Sequence, residues 1–551
     1  MSIKQWLKKN KIFREVVRFS RNAYVPAWKH ISGLDRKRAD GENSPRILIV
    51  TGGGGYSAAK QIESLLAVSL QLRGASIDVL LCDGVLPGCF QTTLDWDQNE
   101  EVFAKTGTSK ANCYSCFHYA SKTYESLGMN VIKLGDLLSN EEMIETEEFA
   151  SKVSLEDIES FSDQGVQIGE HAYAGALRFY ATAKLVDEHS EKVLRRYFTA
   201  ALRAYKGASN LFSRSKKYSH VLLHHGIYVP QGVLAETARV NNLNTTTWHV
   251  AYREKTFLFS HGGTYHKTMM SEPKTSWDGF EFTEEKRQTI LKYLQGRWSG
   301  TNDWISFSRQ FSEKEADIDS NSSKKYDASI LMLTNVMWDA QLHYPANAFP
   351  SMLDWILSTI ELFKSKPNLE LIIRIHPAEM SGTLPSRQLV VDEINKHFDS
   401  IPHNVRIIKP NDPANTYTLA KKCDTAIIFG TKTGVELTSM GIPTIVAGEA
   451  WVRGKGLTID VDSPEGYAEE LNKLPLKQRL SSDVQERALK YAYHFFFRRM
   501  IPLNMVKKSK GHEVFNYAFN SVQDLEPGVD KGLDVICEGI LSGNPYIYEP
   551  Y

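Results

Sequence analysis

The sequence predicts an α/β protein: two Rossmann-like domains facing each other across a cleft, behind a basic N-terminal helical extension. Three observations carry this expectation. Residues 46–51 form an apolar run that meets Gly52-Gly53-Gly54-Gly55; a helical periodicity covers 57–73, and a second apolar run covers 77–81. That is strand, glycine turn, helix, strand. The same alternation restarts at Ala328 after a tract rich in serine and acid (Ser312, Asp317, Asp319, Ser320, Ser322, Ser323). The apolar runs are short and nearly continuous, as in parallel strands covered on both faces. The reading divides the chain into an extension (1–44), a first domain (45–273), a linker region (274–325) and a second domain (326–551).

The elements follow in order. Strands are expected at 46–51, 77–81, 221–224 and 245–250 in the first block, with a helix-rich polar stretch from 140 to 214 between the second and third. In the second block they fall at 328–333, 369–375, 405–408, 425–429 and 443–447, separated by helices at 350–364, 416–422 and 434–440. One helix near 283–294 lies in the linker region. The loop at 52–55 lacks the Gly-x-Gly-x-x-Gly spacing, since Tyr56 and Ser57 follow it, so it carries little weight as a cofactor motif.

Composition narrows the function. The 551 residues have a formal net charge of zero, 42% hydrophobic and 24% charged residues, and six cysteines. These values exclude a largely disordered chain and a secreted disulfide scaffold, and give no reason to propose a nucleic-acid partner. There is neither an apolar run of spanning length nor a signal-peptide core, so a soluble cytoplasmic protein is expected. Charge is uneven, however. Residues 1–38 hold eleven Lys and Arg against Glu15 and Asp35, interleaved with Ile3, Trp6, Leu7, Ile12, Phe13, Val16, Val17 and Phe19. A basic amphipathic helix of this kind suits an anionic membrane surface; the plainer alternative is docking on its own domain.

Ligands of open parallel sheets collect beyond the carboxyl ends of strands, and three groups in the second block stand there. Arg374 and His376 flank Ile375 at a strand end and precede Pro377; a guanidinium and an imidazole there suit a sugar-nucleotide phosphate. Thr431 and Thr433 stand where they can cap a helix that includes Gly434 and Glu436. Its first amides attract phosphate and Glu436 can accept from ribose hydroxyls, although threonine and glutamate at this spacing also make a plain capping box. The loop 448–456 brings Trp451, Arg453 and Lys455 to the same edge, partners for a base and a diphosphate or for a carboxylated sugar, or else a packed tryptophan in a surface loop.

The order of His376-Pro377, the strand and turn at 427–436, Gly441-Ile442-Pro443 and the loop 451–458 resembles the bacterial capsule polysaccharide biosynthesis proteins, over about residues 326–465. That family is similar to the transferases that add Kdo from CMP-Kdo. The resemblance implies a GT-B glycosyltransferase with a nucleotide-sugar donor, CMP-Kdo favoured, and a glycan or glycolipid acceptor. It places His376 and the 431–434 turn at the nucleotide phosphate and Glu436 beside the nucleotide sugar. From the basic extension and the absence of a spanning run, the expected setting is cytoplasmic, peripheral on the inner face of the cytoplasmic membrane.

Such transfer needs the leaving phosphate neutralised and the acceptor held in line, which cations and helix N-termini can do without a catalytic metal. The Asp-x-Asp triplets at 95–97, 317–319 and 460–462 end none of the donor-site strands. A catalytic base is expected from the first domain, among His224, His225, Glu170 and His171; His261 and His266 form a further pair near a glycine turn. Cys82, Cys89, Cys113 and Cys116 have the composition of a four-thiolate site, with structural zinc foremost and an iron–sulfur cluster sharing the ligand count. Two rival functions share these features: a nonhydrolysing sugar-nucleotide epimerase, and a metal-bearing scaffold of envelope polysaccharide assembly.

Overall fold

The structure is a computed structural model and describes residues 27–34, 44–97, 99–214, 218–298, 303, 326–476, 478–509 and 515–550. Most of the basic extension and the polar tract 304–325 lie outside the described residues, and with them the membrane-facing helix expected at 1–38.

The first sheet is built on β1 (Arg46–Val50), β2 (Ser76–Leu81), β3 (Asn130–Lys133), β4 (His220–His224) and β5 (Asn244–Val250), all parallel in the order β3-β2-β1-β4-β5. β6 (Thr256–His261) joins the β5 edge antiparallel. Alternation along β1 explains the layers. Ile47 and Ile49 face a core formed with the helix Ser57–Leu72, while Leu48 and Val50 face one formed with the helices Ile168–Tyr180 and Ser190–Arg214. The second sheet is wholly parallel: β7 (Ala328–Leu333), β8 (Leu369–Arg374), β9 (Val405–Ile408), β10 (Thr425–Ile428), β11 (Thr444–Val446) and β12 (Ile459–Asp460), in the order β9-β8-β7-β10-β11-β12. Ile330 and Met332 pack under the helix Met352–Lys364, and Leu331 and Leu333 pack on the opposite side. Both sheets reverse direction between their first and fourth strands, at β1/β4 and at β7/β10, where a crevice opens in this topology. The two Rossmann-like domains face each other across a cleft.

The domain boundaries need three corrections. Residues 501–550 belong to the first domain. β13 (Ile501–Pro502) pairs antiparallel with β6, the hairpin β14 (Val506–Lys508) and β15 (Phe515–Tyr517) covers the Ser57–Leu72 helix, and the helix Lys531–Ser542 buries Leu533, Ile536 and Ile540 in the same core. The edge of β6 and that apolar face would otherwise meet water. The helix Glu284–Trp298 is no linker: Ile290, Tyr293 and Leu294 pack on Ala488, Leu489 and Tyr493 of the second domain. Residues 27–34 dock on the first domain, where the Trp28 indole donates to Ser64 Oγ at 3.0 Å and meets Tyr517 and Phe519 edge-on.

The glycine loop serves packing. A Cβ on Gly54 would stand 2.4 Å from Ala120 Cβ, and one on Gly52 would stand 2.9 Å from the Pro230 ring. Among the described residues no helix is long and apolar enough to cross a membrane.

Because the C-terminal helix completes the first domain, Ile536→Ala should cost about 2–4 kcal/mol in urea unfolding. Amide exchange should rise in β1 and β6 and stay unchanged in β7 and β10.

Candidate functional site

The cleft encloses about 480 Å³ and is lined by the loops that follow strands in both sheets. From the second domain come Thr334 and Asn335 after β7, His376 after β8, the segment 430–433 after β10, and Glu449 and Trp451 after β11. From the first come Tyr56 after β1, Phe90 after β2, His224, His225 and Tyr228 at the end of β4, and His249 and Tyr252 at the end of β5. Carboxyl ends of parallel strands therefore furnish both walls.

On the second-domain wall, Pro377 turns the chain after β8 and holds His376 at the rim. The ring's Nδ1 accepts the Ala378 amide at 3.0 Å, and its backbone N–H donates to Thr334 Oγ1 at 3.1 Å. An amide N–H can only donate, so a neutral His376 carries its hydrogen on Nε2. Burial, then the charges of Lys432 and Arg374, lower its pKa to about 4, so the ring is neutral at pH 7. Thr431 and Thr433 are half-buried and meet at 3.3 Å, with the Thr433 amide 3.4 Å from Thr431 Oγ1. Lys432 lies between them in the cleft wall, its ammonium 4.8 Å from the Tyr252 ring centre and 3.3 Å from Glu436 Oε2. Burial and the nearby Arg297 charge push that ammonium down to about 8, against the pull of Glu436. Lys432 stands inside the turn expected at the phosphate but was not singled out there as a site residue.

The opposite wall is a run of rings. His224 lies 4.3 Å from His225, 5.3 Å from His249 and 5.1 Å from Tyr56, and the run continues through Tyr265 and His266 to Trp451. Burial holds His224 and His225 well below the usual imidazole range, with neighbouring histidines adding to the effect. His225 adopts φ 35°, a left-handed conformation uncommon outside glycine, and Gly226 follows at φ 69° to complete the turn. Arg178 completes this wall, donating to the Phe90 carbonyl at 2.6 Å with its guanidinium 4.4 Å from that ring. His249, Arg178 and Asp339 were also missed as wall residues, and of the further pair His261 and His266 only His266 lines the wall. The readable signal for His249 was a histidine at the end of the strand next to β4.

Several expected site residues are committed elsewhere. Glu436 is fully buried and pairs with the Arg297 Nε at 2.6 Å, while Arg297 also pairs with Asp303. This carboxylate anchors the helix Thr433–Ser439 to the helix Glu284–Trp298 and does not line the cleft. Gly434 is a packing glycine whose Cβ would stand 2.6 Å from Ile428 Cδ1. Arg374 is buried at the cleft floor and donates to the carbonyls of Lys409 and Asp412, so its charge orders the loop after β9. Arg453 does not line the cleft either: it donates to the carbonyls of Val446 and Val461 at 3.2 and 2.8 Å, joining β11 to the segment after β12. Glu170 accepts the His343 amide from the second domain. The His171 Nδ1 donates to the Ile227 carbonyl at 2.5 Å and its Nε2 lies 3.5 Å from Glu236. Neither lines the cleft, so the base candidates Glu170 and His171 are structural. His261 lies away from the cleft, donating to the Asn544 carbonyl and stacked on Tyr546 at 4.2 Å.

Cys82 and Cys89 follow β2, and Cys113 and Cys116 stand on the helix Lys110–Ser126. The Gly55 amide donates to Cys116 Sγ at 2.9 Å, and the Gly84 amide to Cys82 Sγ at 3.4 Å. Among the described residues no group of three or more His, Cys, Asp or Glu is arranged to hold a metal ion. The zinc or iron–sulfur expectation therefore finds no fit in this geometry.

Residues 300–488 match the family model for capsule polysaccharide biosynthesis proteins. That match spans the whole second-domain wall of the cleft, from Thr334 to Trp451. Among solved structures the chain is similar to Thermosulfurimonas dismutans KpsC, beta Kdo 2,4 transferase, at 13% identity and TM-score 0.35, covering 56% of this chain and 88% of that one. It is similar to the beta Kdo 2,7 transferase of the same organism at 14% identity and TM-score 0.31, covering 58% and 88%. It is also similar to UDP-GlcNAc 2-epimerase from Neisseria meningitidis, at 12% identity and TM-score 0.23, covering 81% and 95%. No curated protein sequence matches the chain.

Because Glu436 neutralises a buried arginine, Glu436→Gln should destabilise the protein by about 3 kcal/mol in urea unfolding. Glu449→Gln, at the cleft rim, should stay within about 1 kcal/mol of the parent.

Proposed function

We propose that the protein is a glycosyltransferase of capsule-type surface polysaccharide synthesis, moving a sugar from a nucleotide donor to a hydroxyl of a glycan or glycolipid. The observation that supports this is the pairing of two unlike walls at the switch points of two parallel sheets. One, within the family-matched residues, offers a neutral imidazole N–H, two hydroxyls and an ammonium; the other offers uncharged imidazoles and aromatic faces. The first suits a departing nucleotide phosphate, the second an uncharged sugar hydroxyl and ring face.

The transfer follows from these groups. His376 Nε2–H and Lys432 Nζ donate to phosphate oxygens of the donor, and their hold strengthens as negative charge develops on the leaving group. Thr431 and Thr433 supply hydroxyls at the same rim. The acceptor hydroxyl approaches from the imidazole wall, and donor and acceptor together fill the cleft and displace water that would otherwise hydrolyse the donor. The family resemblance favours CMP-Kdo as donor. The excess of basic residues in 1–38 supports a position on the inner face of the cytoplasmic membrane, where a lipid-linked acceptor is held.

A donor screen by mass spectrometry with CMP-, UDP- and GDP-sugars tests the reading: loss of donor should require acceptor. UDP-sugar isomerised without acceptor would instead identify an epimerase. His376→Ala should lower turnover about a hundredfold while leaving the unfolding midpoint unchanged. Lys432 binds phosphate as the ammonium, so nucleotide affinity should be full below pH 8 and weaken as pH rises through about 8. Calorimetry on Lys432→Met should show weaker binding without that alkaline loss.

A further inference from the structure

We propose that His249, at the carboxyl end of β5, is the catalytic base of the transfer, and that His225 beside it acts as a hydrogen-bond donor. This inference rests on the glycosyltransferase reading and adds to it the division of labour among the imidazoles.

The division follows from what each ring's Nδ1 touches. A base needs a nitrogen lone pair aimed at the acceptor hydroxyl. In His225, Nδ1 receives the Ile227 amide N–H at 3.0 Å. An amide can only donate, so Nδ1 holds the lone pair and the neutral ring carries its hydrogen on Nε2. That Nε2 is buried and has no hydrogen-bond partner among the described residues. His225 therefore offers the cleft an N–H and no lone pair.

His249 has the opposite arrangement. Its Nδ1 lies 2.7 Å from the Val250 carbonyl. A carbonyl can only accept, so Nδ1 carries the hydrogen and Nε2 keeps its lone pair. His249 lines the cleft, and Nε2 is its one remaining polar ring atom. Adjacent parallel strands thus present a donor and an acceptor on one wall, with the His224 ring between them at 4.3 and 5.3 Å.

The surroundings of His249 are His224 and His225 from β4, Tyr265 and His266 from the helix Tyr265–Met270, and Asp339 from the segment after β7. Burial holds its pKa below the ordinary value, and the bond to Val250 and the Asp339 charge oppose that effect. The ring is therefore a neutral base at pH 7, and Asp339 stabilises the imidazolium formed. Asp339 is itself held by the Tyr228 hydroxyl at 2.7 Å.

The step balances. The acceptor O–H bond breaks as its oxygen bonds the anomeric carbon, and the proton passes to His249 Nε2. The bond from the anomeric carbon to the nucleotide phosphate oxygen breaks, and its electron pair leaves on the phosphate. The imidazolium then returns its proton to water.

The test compares wild type, His249→Gln, His249→Asn and His225→Gln, using CMP-Kdo with a glycan acceptor, pH profiles of kcat/KM, and CMP binding by calorimetry. Both His249 variants should lose about 10²–10⁴ in kcat with CMP affinity unchanged. They should also lose the acid limb, which lies below pH 6.5 in the wild type because the base must be unprotonated. His225→Gln, whose amide still donates, should keep that limb. An acid limb that persists in His249→Gln, or a kcat within tenfold of wild type, overturns the proposal. So does joint loss of CMP binding and of the unfolding midpoint in both His249 variants, which would mark the ring as structural. A wild type that consumes neither CMP-Kdo nor any other nucleotide sugar fails the glycosyltransferase reading itself, and this inference falls with it.

Discussion

Two doubly wound sheets can share one site only if their carboxyl ends are held facing each other, and in this protein the chain's return crossing does that. After the helix Ser482–Tyr493 the backbone leaves the second domain and finishes as the outer strand and covering helix of the first. The crossing is charge-locked: Glu272 lies 3.1 Å from His494 and 3.2 Å from Arg499, and Arg499 donates to the Tyr546 carbonyl at 2.8 Å. Lys455 of the second domain is almost fully buried and gives its ammonium to the carbonyls of Met269, Met270 and Glu272, closing the C-terminal end of a first-domain helix. One apolar core runs through the junction, from Leu258 and Met269 to Val446 and Trp451. These ties set the width of the cleft before any ligand enters.

That constraint decides which charges remain available. Burying a cation without a partner is costly, so the arginines near these strand ends and on the helix packed beside them are spent on carbonyls and carboxylates: Arg374 on the loop after β9, Arg453 on β11, Arg297 on Glu436 and Asp303. Lys432 remains at the surface of the cleft with its ammonium weakened by burial. Positive charge is thus scarce and placed, and neutral imidazoles supply most of the remaining polarity.

The fold was legible because parallel strands buried on both faces leave short apolar runs, and the runs at 46–51, 328–333 and 425–429 became β1, β7 and β10. β6 was harder to read: an antiparallel strand appended to a parallel sheet breaks the strand–helix rhythm. The C-terminal return was illegible because its partners lie some 250 to 450 residues away, as with Ile501 on Phe257 and Phe515 on Gln61. His376 and Thr431 line the cleft, as expected of residues at strand ends that face the crevice. Glu436 and Arg453 were misread because sequence shows that a charge is near a strand end, and not whether a buried partner has already claimed it. The cysteine spacing failed for a similar reason, since four thiols near one loop specify composition and leave ligand geometry open.

What remains unclaimed is informative. Most buried polar atoms in folded proteins are hydrogen-bonded, and an orphan costs about 1–3 kcal/mol. Among the described residues of the cleft wall, both nitrogens of His224, Nε2 of His225, the Trp451 indole N–H and Nε of Arg374 have no partner. A core that merely packed would have replaced these groups with apolar ones of the same shape at little cost. Retaining several of them around one hollow, beside a histidine with strained φ, fits a surface whose missing partners arrive with the substrate. On this view the cleft is tuned less by charge than by the sense of each hydrogen bond, with donors and acceptors fixed by backbone groups one or two residues away. Those bonds lie within single strand-end loops, so each domain fixes its own donors and acceptors and the ties between the domains only set the distance across which they face each other.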